Sequence, residues 1–220
     1  MNLMDKLERK LKNCYIANLM NYICLSMAAV YVLDLFGLNA SYWFAFNREL
    51  ILRGQIWRVL TFILIPSSAG LGGLIGFVLH LYFSWFVGTT LENNLGSRKF
   101  FLYYLTGTLL NILCGFLFGS ATNYYLHYAM FFAFALLYPN HRIMLFFIIP
   151  LEMKWLALID GIYYIYLISG CFFHGYVLWG SLLLILFSLL PIVIFFFPEL
   201  KLLLRGTVNR IRRKLENRGR

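Results

Sequence analysis

Long apolar runs separated by short polar breaks make up most of the chain, and their length decides what they form. Runs near residues 16–36, 70–91, 100–119, 122–138, 152–170 and 173–197 are long enough to cross a bilayer core about 30 Å thick. They lack the alternation of barrel strands, and a backbone inside a membrane must bond within its own segment. The pattern therefore predicts an all-α polytopic membrane protein of six helices. We read residues 1–220 as a single domain: an amphipathic segment over 1–14, a six-span core over 15–200 and a basic tail over 201–220.

Composition agrees with that class. Hydrophobic residues are 61% of the chain and charged residues 13%, with a mean hydropathy of +0.75. No small-residue cleavage site follows the first run, so it is expected to stay as a span. Cys14, Cys24, Cys114 and Cys171 have no paired spacing and read as reduced packing residues. Six crossings put both ends on one side, and sixteen of the nineteen Lys and Arg residues fall there. Only Arg48, Arg53 and Arg58 fall opposite, so both ends are expected to be cytoplasmic.

Met4, Leu7 and Leu11 recur at helical spacing among basic residues, as do Leu204, Val208, Ile211 and Leu215. These ends carry much of the net charge of +10. Each basic residue near an anionic leaflet gains about 1 kcal/mol, so anionic lipids at the cytoplasmic face are expected partners and nucleic acid is not.

Two interior features are unusual. The stretch near 37–69 is long for a connection yet holds Trp43, Phe44, Phe46, Trp57 and an apolar run to Pro66, which suits the membrane interface. Glycines cluster around the second and third runs, at Gly70, Gly72, Gly73, Gly76, Gly88, Gly107, Gly115 and Gly119, where helices can approach closely.

Three short segments carry a family resemblance. Residues 54–58 read GQIWR, residues 88–99 read GTTLENNLGSRK, and residues 138–156 read YPNHRIMLFFIIPLEMKWL. Together they resemble the signature segments of rhomboid-type membrane proteins, with Trp57, Arg58, Gly88, Glu92 and Gly96 on the motif positions. The resemblance covers roughly residues 50–190 and implies a six-helix rhomboid-like bundle with a membrane-embedded first loop. Counted back from Glu92 and Gly88, the oxyanion-helper positions of a rhomboid protease fall on Gly76 and His80. Aligned on the turn at Pro139, its nucleophile position falls on His127, and its base position falls on Leu178. No serine lies between Ser120 and Ser169, so the acyl-transfer dyad is missing.

The resemblance thus implies a rhomboid pseudoprotease, derlin-like, with no catalytic residue and no cofactor. Its partners would be membrane proteins or transmembrane segments, admitted through a gate beside Trp85 and Trp155, and it could perturb the local bilayer. The compact core leans toward a bacterial plasma membrane. Packed in the rhomboid manner, His80 and His127 would face each other, with an interhelical hydrogen bond preferred over a metal because no carboxylate or cysteine completes a ligand set. Two other readings stay open: a hydrolase using an unusual histidine-based or metal-assisted site, and a small transporter or channel. Asp160 is an acid inside the fifth run, where either Tyr163, Tyr164 and Tyr166 supply hydroxyl partners or it lies near enough to the interface to be wet. Asp34 is expected to be wet.

Overall fold

A computed structural model describes residues 15–66, 73–119, 121–145, 149–155, 157–158, 161–162, 165–166, 169, 187 and 189–195. The N-terminal segment, the basic tail, Cys14, Asp160, Cys171 and Leu178 lie outside these residues, as does most of the fifth and sixth runs. The described chain is mostly helical. In order it forms α1 (Leu19–Leu35), α2 (Ala40–Phe44), α3 (Arg48–Leu52), α4 (Arg58–Thr61), a 3-10 turn (Phe62–Leu64), α5 (Leu74–Leu95), α6 (Ser97–Phe118) and α7 (Tyr124–Leu137). A two-stranded antiparallel hairpin follows, β1 (Arg142–Leu145) and β2 (Ile149–Glu152).

α5 and α6 have 22 residues each and are long and apolar enough to cross a membrane. At 1.5 Å per residue each spans about 33 Å. α1 and α7 are shorter, at 17 and 14 residues. α5 is the central helix, packed against α1, α6 and α7. The main core forms where they meet, with Met20 and Met27 of α1, Val87 and Leu91 of α5, Tyr103 of α6 and Met130 and Phe134 of α7 all buried.

The outer faces are apolar too. α6 buries Tyr103, Tyr104, Asn111 and Cys114 while exposing Leu109, Leu113 and Leu117, and α5 exposes Leu74, Ile75 and Val78. A helix hydrophobic all round belongs in an apolar surrounding, because a water-facing helix would carry a polar stripe.

The stretch expected as an interfacial loop is three short helices and a 3-10 turn around a second, smaller core. Phe46, Ile51 and Phe62 are its buried members, and the Phe46 ring meets Phe62 at 5.8 Å and Phe116 of α6 at 5.5 Å, edge to face. Asn123, just before α7, donates from Nδ2 to the carbonyls of Ile63 and Ile65 at 2.9 and 2.7 Å. Asp34, expected in water, is part-buried and accepts from the Ser41 amide at 3.0 Å and from the Ser41 hydroxyl, so it holds the start of α2.

The hairpin is the departure from helix. Its residues read in the sequence as an apolar stretch broken at Pro150, and the register makes that proline harmless. Met153 N–H donates to His141 O at 2.9 Å, so the odd-numbered partners Ile143 with Leu151 and Leu145 with Ile149 fall in the hydrogen-bonded class. Pro150, opposite Met144, lies between them and removes no ladder bond. Arg142 is paired with Glu152, which brings their side chains to 3.7 Å, and Lys154 also ion-pairs with Glu152.

Candidate functional site

The GQIWR segment begins with a helix stop. Gln55 N–H donates to Leu50 O at 3.1 Å and Gly54 N–H to Ile51 O at 3.0 Å, with Gly54 at φ 105, the two-bond C-terminal motif that favours glycine. The chain then turns into α4, whose first residue, Arg58, is 1% exposed. Its Nη1 donates to the carbonyls of Tyr42 and Ala45, both at 2.8 Å, and its Nε to Gln55 Oε1 at 2.6 Å. The guanidinium also stands 5.8 Å from the Tyr42 ring centre. Trp57 is half exposed and donates to Trp43 O at 3.4 Å. This motif therefore fastens α2 to α4.

The second motif fastens long helices. A side chain at Gly88 would collide with Met20, so the glycine sets the approach of α1 to α5. One turn on, buried Glu92 accepts from the Asn18 amide at 2.6 Å through Oε1 and so holds the first turn of α1. Gly96, at φ 83, ends α5 and begins α6. All three serve packing and chain reversal.

The chemistry-bearing residues converge between α5 and α7. A cavity of about 190 Å³ is lined by His80, Phe83, Ser84 and Val87 on one side and His127, Tyr128, Met130 and Phe131 on the other. The spacing explains the lining: positions three and four apart share a helix face, which groups His80 with Ser84 and His127 with Met130. The His80 and His127 ring centres are 5.2 Å apart at an interplanar angle of 75°. These are the two histidines expected to meet. Gly76 lies one turn before His80 on α5, half-buried.

Hydrogen bonding differs from expectation. The His80 partner is Ser84 Oγ, at 3.4 Å on its own helix, and not the facing histidine. His127 is 4% exposed and, among the described residues, neither ring nitrogen has a hydrogen-bond partner. The two rings stand 75° to one another and no hydrogen bond joins them.

Trp85, expected at a gate with Trp155, donates to Asn21 Oδ1 at 2.8 Å and so turns toward α1. Trp155 is half exposed just after the hairpin, with Lys154 Nζ 5.7 Å from its ring centre. Ser84 and Met130 went unnoticed in the sequence. Their spacing from His80 and His127 is the signal that finds them. No family model, curated protein or solved structure matches this chain.

Proposed function

We propose that the chain is a noncatalytic rhomboid-like membrane protein with six crossings and both ends cytoplasmic, which binds single transmembrane segments of client proteins at the α5–α7 cavity. The observation that carries this reading is the meeting of His80 with His127 in one cavity. The resemblance assigns those two residues to the oxyanion and nucleophile positions of a protease, which must lie side by side. Supporting it, the apolar outer faces of α5 and α6 suit lipid, and Arg58, Gly88 and Glu92 are buried or tightly packed.

Size favours a side-chain anchor. A dry cavity of about 150 Å³ holds a benzene molecule, so a space of about 190 Å³ accommodates one aromatic ring of a docked segment. Photocrosslinking in cells from His80 and Trp155 tests the reading. Capture of membrane proteins at both positions is expected; capture of lipid alone would overturn it.

The Ser84 hydroxyl beside His80 favours a second reading, an intramembrane hydrolase. Against it, the His80, Ser84 and His127 amides sit within helices, and His127 N–H is already bonded to Asn123 O at 3.1 Å. An oxyanion hole needs free donors aimed at the developing charge. A fluorophosphonate probe separates the readings: labelling lost in Ser84→Ala would establish the hydrolase, and the favoured reading expects none.

A further inference from the structure

A buried imidazole with both nitrogens unpaired is an expensive thing to keep, and it calls for a partner. His127 is such a group, and it lines a cavity with a second imidazole, His80, and a thioether, Met130. We propose that these three side chains form a binding site for a cuprous ion. The inference stands on the cavity alone and not on the client-binding reading.

Geometry is the first argument. A metal bonded to an imidazole nitrogen at about 2.0 Å lies about 3.2 Å from the ring centre. Two imidazoles at a tetrahedral angle of about 109° then have centres about 5.2 Å apart, whereas a linear pair needs about 6.4 Å. The observed 5.2 Å fits the bent arrangement, which leaves room for a third ligand. Met130 is one helical turn from His127 on the same face of α7 and is 1% exposed.

Charge and softness choose the ion. Two neutral imidazoles and a thioether bring no negative charge, and burying an uncompensated ion in a low-dielectric site is penalised steeply with its charge. A monovalent ion is therefore preferred to a divalent one. Thioethers favour the soft cuprous ion, while hard cations demand oxygen. Ser84 Oγ, accepting from His80 Nε2–H, would leave the lone pair on Nδ1 for the metal, the usual work of a group behind a ligating histidine.

The test titrates the full chain, purified in nanodiscs under a reductant, with cuprous ion against a chromogenic chelator. One equivalent is expected to stay with the protein, none with His80→Gln or His127→Gln, and Met130→Leu should weaken binding at least ten-fold. Zinc offered alone should not be retained stoichiometrically. Copper X-ray absorption of the unsubstituted protein needs no variant to fold, and two nitrogen neighbours with one sulfur are expected. No retained copper, retention unchanged in His127→Gln, or a shell without sulfur would each overturn the site.

Discussion

At the scale of single residues, the buried polar groups divide into those with partners and those without. Arg58 has the fullest set, and its removal would leave the Tyr42 and Ala45 carbonyls without their donor. Charge-assisted bonds of this kind are worth about 1.5–3 kcal/mol each, so Arg58→Ala is expected to lower stability by about 3–5 kcal/mol in a denaturant titration in micelles. Arg58→Lys should recover little, since an ammonium cannot reproduce the fork; full recovery would show that charge alone matters. His127 is the opposite case. A buried group without a hydrogen-bond partner costs about 1–3 kcal/mol, so His127→Leu is expected to stabilise the metal-free protein by a similar amount in the same titration. A loss of stability would mean the imidazole is satisfied. Trp57 and Arg58 could be picked out from sequence as a pair, but their partners could not, because backbone carbonyls carry no residue signature.

Among the elements, the approach of α1 to α5 rests on Gly88 against Met20. Overpacking a close helix contact costs about 1–3 kcal/mol, so Gly88→Ala is expected to destabilise by that amount, and Met20→Ala in the same chain should restore most of it. Additive effects would argue that the two residues do not touch. The hairpin has its own sign of pH dependence. The hydrogen bond from Lys154 holds the Glu152 carboxyl below its ordinary range, with the Arg142 charge adding to the effect. A lowered folded value means the contribution is present above the ordinary carboxylate range and is lost as pH falls through that lowered value. The protection of the Met153 amide against exchange, taken relative to its intrinsic rate at each pH, is therefore expected to fall on acidification and, because the pair is at the surface, to fall in high salt as well. The helices were legible from the length of their apolar runs, and α5 and α6 match the second and third runs closely. The hairpin was not, because Ile143–Leu145 and Ile149–Leu151 read equally as helix or strand and only cross-strand pairing decides. The order inside residues 37–69 was hidden for a related reason: its small core of Phe46, Ile51 and Phe62 is completed by Ile112 and Phe116, which come from α6.

On the scale of the whole molecule, the described residues are mostly helical and include two helices long and apolar enough to span a membrane, whose outward faces are as apolar as their inward ones. The proposed six crossings with cytoplasmic ends make a plain expectation: single cysteines placed at positions 9 and 213, in a chain lacking its native cysteines, should react with a membrane-impermeant maleimide only after the membrane is broken. Labelling of either in intact cells would reverse the orientation. The convergence of His80 and His127 was legible through the resemblance, whereas Ser84 and Met130 emerged only when the facing helices brought them to the same cavity. The proposed binding of a client segment in that cavity can be read directly. Its most direct measurement is energy transfer from a fluorescent single-span peptide to labelled protein in nanodiscs, with the cavity open or filled by Ser84→Leu. We expect a saturable signal, competed by unlabelled peptide and reduced at least ten-fold in affinity by the filled cavity. A signal that never saturates, or is indifferent to Ser84→Leu, would contradict it.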